Sequence, residues 1–197
     1  RMPDPVLQQV EHFNNPGITA NEAFKPVTRY FDRITRPEQI IQSFPNAVQT
    51  MLDPADCGPA CISLSQDVQG ETFDYPEEFF NEKIHSIRRP RPDDYQIKQA
   101  AELIKKSKNP IIISGGGIFY SDAMTELSQF AKKHNIPTAQ TVMGYSSMKK
   151  DDPYFLGAIG GFGGKAPNDF MKKTDLAIAI GTKLADFTTG SWANFEN

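Results

Sequence analysis

The chain has 197 residues, 39% apolar and 23% charged, enough for one large or two small globular domains with a buried core. Its formal charge of −3 gives no electrostatic attraction to nucleic acid or an anionic membrane. No apolar run nears the roughly eighteen residues a spanning helix needs and no leader pattern opens the chain, so a cytoplasmic protein with neither partner is expected.

Residues 1–21 are polar, lack an initiator Met at position 1, contain Pro3, Pro5 and Pro16, and show little periodicity; this reads as the interior of a longer chain. From Arg36-Pro37-Glu38-Gln39 the pattern turns helical. Thr35 is placed to cap and Pro37 suits the first turn, and Ile40, Ile41, Phe44, Ala47, Val48, Met51 and Leu52 follow a three-to-four period that Pro45 should kink. Asp53-Pro54-Ala55-Asp56 ends the helix, Gly58-Pro59 turns the chain, and Ala60 to Leu64 reads as a strand whose own domain supplies it no partner. Cys57 and Cys61, spaced C-x₃-C, are expected to be reduced and buried. With only His12, His85 and His134 scattered elsewhere, they do not make a zinc site.

Residues 71–92 are expected to form a linker, with the Arg88-Arg89-Pro90-Arg91 cluster a solvated connector. Asp93 or Asp94 then caps a helix with Ile97, Ala100, Ala101 and Ile104 on one face and Lys98, Lys105 and Lys106 on the other. Asn109-Pro110 stops it, and Ile111-Ile112-Ile113 runs as a buried strand into Ser114-Gly115-Gly116-Gly117. Ser121 or Asp122 caps a second helix, with Leu127, Phe130 and Ala131 inward and His134-Asn135 at its end. Ile136 to Met143 is a second strand, Gly157 to Gly164 a flexible glycine-rich loop, Pro167 to Lys173 a short helix, and Asp175 to Gly181 a third strand. Strands and helices alternating in this way predict an α/β fold, a parallel sheet flanked by helices, with a partial α/β domain before it. Three strands are few for such a sheet, and the second domain reads as cut short after Trp192-Ala193-Asn194-Phe195.

Glycine at the exits of buried parallel strands marks a crevice where ligands bind. Gly115, Gly116 and Gly117 offer amides to a phosphate, or make a tight turn with no ligand; both readings stand, because G-x-G-x-x-G spacing and a ribose-binding acid are missing. Gly181, Thr182 and Lys183 border the same crevice. Gly160-Gly161-Phe162-Gly163-Gly164-Lys165 lacks the Walker spacing, since Ala166 follows Lys165, and is expected to be a loop near the crevice. Asp151-Asp152 reads as solvated charge, and no H-E-x-x-H or G-x-S-x-G occurs. No residue is identified as catalytic and none as a metal ligand.

The run from Arg36-Pro37-Glu38-Gln39 through Gly58-Pro59 to Gln66-Asp67-Val68 resembles the end of the pyrimidine-binding domain of thiamine diphosphate enzymes of the acetohydroxyacid synthase type. Ala100 to Ile104, Pro110 to Gly117, Ile136-Pro137-Thr138, Met143-Gly144 and Asp175 to Gly181 resemble their central domain. The resemblance thus divides the chain into an incomplete pyrimidine-binding part (1–70), a linker (71–92) and a central domain (93–197). Pro3 to Gln9, Asp53 to Asp56 and Tyr75 to Phe80 are similar to the branch that opens the ring of a cyclic dione in myo-inositol breakdown. That similarity implies a small-molecule substrate and carbon–carbon bond hydrolysis, with the thiamine ring acting as electron sink.

The family's cofactor-activating glutamate lies upstream of the aligned part, and the Gly-Asp-Gly of its magnesium and diphosphate site does not occur here. The resemblance therefore implies a catalytically silent piece of a homo-oligomeric enzyme, with thiamine diphosphate and Mg2+ held elsewhere. Some relatives carry FAD or ADP on the central domain, which gives Gly115–Gly117 and Gly181–Lys183 a possible cofactor-binding role. FAD is not expected: Gly181-Thr182-Lys183-Leu184-Ala185-Asp186-Phe187-Thr188 lacks both arginines of the family's Gly-x-Arg-Phe-Asp-x-Arg, and a lysine does not replace a bidentate guanidinium. Other readings are another thiamine enzyme of the same type, a free-standing module for ADP, NAD or FAD, or an interface piece without ligand. Two cysteines cannot build the four-Cys zinc module usual in NAD-using deacylases of related fold.

Overall fold

A computed structural model describes residues 20–195. The resemblance-bearing Pro3 to Gln9, and His12, lie outside the described residues. The chain divides into two compact units, Arg1–Pro90 and Arg91–Asn197.

In the first unit, β1 (Tyr30–Ile34) and β2 (Ala60–Leu64) pair in parallel from Tyr30↔Ala60 to Ile34↔Leu64, with α1 (Ile40–Leu52) as the crossover. This corrects the expectation that β2 lacks a partner. The charged pair Asp32-Arg33 hides β1 in the sequence, because a half-buried strand of five residues shows no clean alternation. Thr35 does not cap α1. The Gln39 side chain reaches back, and its Oε1 accepts from the amides of Thr35 (2.6 Å) and Arg36 (2.9 Å) and from the Thr35 hydroxyl (2.9 Å). Helical assignment continues through Pro45. Ser43 and Ala47 are the buried positions of α1, and the Tyr30 hydroxyl donates to Ser43 Oγ at 3.0 Å, tying the helix to β1. Phe44 and Met51 of the predicted stripe are exposed. Asp53 stops the helix by accepting from the amides of Ala55 and Asp56. Both thiols are free, but Cys57 is exposed and Cys61 half-buried, which corrects the expectation of burial. Further along, Phe73, Tyr75, Phe79 and Phe80 form an edge-and-stack cluster, and the Tyr75 hydroxyl donates to the Pro37 carbonyl at 3.2 Å.

In the second unit, Asp93 caps α2 (Asp94–Lys106) by accepting from the amides of Tyr95 and Gln96. None of its residues is fully buried; Ile104 packs partway onto the core and Ile97 stays 48% exposed. The sheet has four parallel strands in the order β5-β4-β3-β6: β3 (Pro110–Ser114), β4 (Thr138–Gln140), β5 (Phe155–Ala158) and β6 (Leu176–Ile180). The strand β5, whose Gly157 and Ala158 were read as the start of a glycine-rich loop, corrects the expected count of three. Gly157 disguises it: at φ +108° it accompanies a register shift against Thr138/Ala139. The strand expected over Ile136 to Met143 keeps only Thr138–Gln140, because the Thr141 hydroxyl accepts from Gly144 N–H at 3.1 Å and winds Val142–Gly144 into a 3-10 turn.

β3 sits in mid-sheet, and Ile111, Ile112 and Ile113 are 0% exposed. Burying each contributes roughly 1.5–3 kcal/mol. Side chains alternate, so Ile112 joins Leu127 and Ala131 of α4 (Met124–His134) on one face, while Ile111 and Ile113 join Met171 of α5 (Lys165–Met171) on the other. Neither Ser121 nor Asp122 caps α4. A one-turn helix α3 (Gly117–Tyr120) comes first, Asp122 takes a left-handed φ of +53°, and Ala123 stands at the cap. Asn135, left-handed, ends α4 as expected. At the amino end of β6 the Asp175 carboxylate accepts from the Ser107 hydroxyl and from the amides of Lys108 (2.7 Å) and Asn109 (2.9 Å), fastening the end of α2 to the sheet. Among the described residues no helix is long and apolar enough to cross a membrane.

Candidate functional site

The chain leaves β3 toward β4 and β5 on one side and returns to β6 on the other, so the connections after β3 and β6 part company at their carboxyl ends. A crevice opens at such a switch point. Here it is a cleft of about 500 Å³, lined by Gly116 and Gly117 after β3, Gly181, Thr182 and Lys183 after β6, Val142 and Met143 after β4, Phe162 after β5, and Tyr120 and Phe187. Five of the six residues singled out in the sequence line it together. The sixth, Gly115, lies beneath.

The glycines pack the two strand exits against each other. A Cβ on Gly115 would stand 2.3 Å from both Gly181 O and Thr182 Cβ, and one on Gly117 would stand 2.6 Å from Gly181 Cα. Gly115 N–H donates to Ile180 O (3.0 Å) and Gly117 N–H to Gly181 O (2.9 Å). Two of the three amides considered for a phosphate are thus committed to the backbone of the β6 exit. This is the physical basis of the tight-turn reading.

The sequence reading missed Tyr120, Val142, Met143 and Phe187, and placed Phe162 in a loop near the crevice without giving it a role; all are exposed large apolar groups. A usable signal existed: residues just past the carboxyl end of any parallel strand face this crevice. The Phe162 and Phe187 rings stack with centroids 5.3 Å apart and planes 13° from parallel. In the glycine-rich loop, Phe162 reaches the cleft whereas Lys165 pairs with Asp169 of its own helix.

Among the described residues Lys183 is the one cation in the lining, and no carboxylate or imidazole is among them there. The carboxyls held below their ordinary range lie elsewhere: Asp53 through the amides of Asp56 and Ala55, Asp169 through the Lys165 ammonium, and Asp175 chiefly through the Ser107 hydroxyl and the amides of Lys108 and Asn109. Asp152 does more than carry solvated charge, since it accepts from the Ser128 hydroxyl (2.6 Å) and the Tyr154 amide (2.9 Å), joining α4 to the start of β5. Among the described residues no group of three or more His, Cys, Asp or Glu stands together to hold a metal ion. The cleft offers flat apolar walls and one ammonium, and no acid–base pair.

The family model for the thiamine pyrophosphate enzyme central domain matches residues 97–197. The chain is 50% identical over all its 197 residues to a 3D-(3,5/4)-trihydroxycyclohexane-1,2-dione hydrolase of Clostridium botulinum (strain Alaska E43 / Type E3), covering 31% of that protein. It is 49% identical over the same span to the protein of that name from Clostridium perfringens (strain 13 / Type A), again covering 31%. The crystal structure of benzoylformate decarboxylase from Polynucleobacter necessarius aligns with 86% of this chain and 32% of its own, at a TM-score of 0.67 and 27% identity. The chain therefore spans about a third of the length of these relatives.

Proposed function

The chain belongs to the thiamine pyrophosphate enzyme family through its central domain, and from that premise we propose that it is the middle part of a hydrolase that opens the ring of trihydroxycyclohexane-1,2-dione in myo-inositol degradation. The observation that carries this reading is identity near 50% along the entire chain, including residues 1–96 ahead of the central-domain match, to relatives of that name. In this reading residues 1–70 close the pyrimidine-binding domain, 71–92 link, and 93–197 form the central domain.

The part played by these residues is scaffolding. They do not fit thiamine diphosphate with its magnesium ion, because the described residues gather no metal-ligand set and no carboxylate lines the cleft to hold the ion. Both groups, and the catalytic residues, belong to the rest of the protein, in a homo-oligomer acting on a small cyclic dione in the cytoplasm. Within the cleft, Gly115, Gly117 and Gly181 serve close packing, which leaves Gly116, Thr182 and Lys183 as the positions open to a ligand. FAD is not among those expected, for want of an arginine at the β6 exit.

The test is the ring-opening rate of the full-length protein, followed as loss of the dione with and without thiamine diphosphate and magnesium. Turnover that requires both is expected. A full-length protein that binds thiamine diphosphate yet leaves the dione intact would overturn the assignment.

A further inference from the structure

The aromatic wall of the cleft is set by a residue that does not line it. Asn168, in the middle of α5, makes three hydrogen bonds with one amide group. Its Oδ1 accepts from Gly160 N–H (2.9 Å) and from Asn194 Nδ2 (3.1 Å), and its Nδ2 donates to Gly160 O (3.1 Å). The side chain thus mimics a strand neighbour for Gly160 and ties the turn that holds Asn194, which is itself 8% exposed. Gly160, at φ +89°, abuts the end of α6 (Asp186–Thr189) so closely that a Cβ would meet Phe187 O at 1.7 Å. The next amide, Gly161 N–H, donates to that same Phe187 O at 2.8 Å. One residue later Phe162 stacks on Phe187, although the two side chains are 72% and 66% exposed. Exposed rings of this size keep a fixed stack only if their backbones are held, and each backbone here leads to Asn168.

We propose that Asn168 is the positioning residue of the cleft, holding the Gly160 loop against Phe187 so that the Phe162–Phe187 stack stands as a fixed wall. The inference goes beyond the ring-opening assignment and does not depend on it. Oδ1 has both acceptor positions filled and Nδ2 supplies the donor, a set that only a carboxamide carries and that glutamine would present one methylene further out. Aspartate keeps the two accepted bonds and turns a carboxylate oxygen toward the Gly160 carbonyl. Leucine, of similar shape, keeps none.

The test uses the full-length protein with 8-anilinonaphthalene-1-sulfonate as probe, an aromatic anion suited to apolar walls beside Lys183, in variants Asn168→Leu, Asn168→Asp, Phe187→Ala and the Asn168→Leu/Phe187→Ala double. Ile112→Val, a change on the sheet face packed against α4, is the control. Saturable binding is expected for the wild type and for Ile112→Val. It should weaken about tenfold in Asn168→Leu, the equivalent of one hydrogen-bond network lost, with no further weakening when this change is added to Phe187→Ala. Trp192, the one tryptophan of these 197 residues, lies in the turn held by Asn194, so its emission, read as the difference from a Trp192→Phe variant, should shift with Asn168→Leu and not with Ile112→Val. Undiminished probe binding in Asn168→Leu overturns the proposal, as does full additivity in the double variant or the absence of saturable binding in the wild type. If Asn168→Leu does not fold, Asn168→Asp decides: weaker binding supports the role and equal binding rejects it. Loss of dione turnover in the full-length protein would leave these outcomes unaltered, so failure here and failure of the enzymatic assignment are separable.

Discussion

Replacing Gly115 by alanine puts the packing of the two strand exits to its most demanding test. The new Cβ would stand 2.3 Å from Gly181 O, 2.3 Å from Thr182 Cβ and 2.7 Å from Thr182 Cα. Reaching ordinary contact means moving backbone by about 1 Å, with no flexible side chain to give way. Overpacking of this kind costs about 1–3 kcal/mol. Retreat of the β6 exit also stretches the Gly115 N–H to Ile180 O and Gly117 N–H to Gly181 O bonds, each contributing about 0.5–1.5 kcal/mol. The combined loss of roughly 2–6 kcal/mol is a large share of a typical 5–15. For a chain of this size it corresponds to a fall in Tm of roughly 4–24 °C. Scanning calorimetry on the 197-residue chain is the assay, and Gly70→Ala is the matched control, since a Cβ there meets nothing within 4 Å. Gly70→Ala should stay within about 0.5 kcal/mol of wild type. A Gly115→Ala protein melting with the control would refute the packing argument.

Three further outcomes are expected. Ile112→Ala, at a fully buried position in mid-sheet, should destabilise by about 2–5 kcal/mol in urea unfolding; less than 1 would mean that β3 is not the core strand. Asp175 is held below its ordinary carboxylate range, chiefly by the Ser107 hydroxyl and then by the Lys108 and Asn109 amides. A depressed folded-state value contributes stability that is present above the unfolded value, about 3.9, and lost as pH falls through the folded one. The Tm gap between wild type and Asp175→Asn should therefore be full near neutrality and shrink on acidification, and a gap that widens toward low pH would contradict the assignment. Finally, native thiol labelling should be biphasic, with exposed Cys57 reacting before half-buried Cys61, and the phases should merge in denaturant; a single native phase counts against this exposure pattern.

The strands that place the cleft were legible where the chain runs apolar without interruption. Ile111–Ile113 and Ala177–Ile180 are unbroken apolar runs, and both lie in mid-sheet or beside it, paired in parallel. The two strands overlooked are those whose character comes from neighbours: β1 carries Asp32-Arg33 and exists as a strand by pairing with β2, and β5 carries a left-handed Gly157 at a register shift. Capping misled in the same way. The Thr35 hydroxyl, expected to accept as a cap, instead donates to Gln39 Oε1, and the one-turn α3 displaced the start of α4. At the cleft the glycines were legible as glycines, but what they do depends on the β6 exit more than sixty residues away. The aromatic wall followed from the loop after β5 meeting α6, a contact that no local pattern announces.

On the proposed function, these 197 residues shape an enzyme without holding its reacting groups. The most direct measurement is dione ring opening by the isolated chain beside the full-length protein, at equal concentration with thiamine diphosphate and magnesium in both. Turnover by the full-length protein and a rate for the isolated chain equal to that without protein are predicted. Catalytic ring opening by the isolated chain would contradict the account.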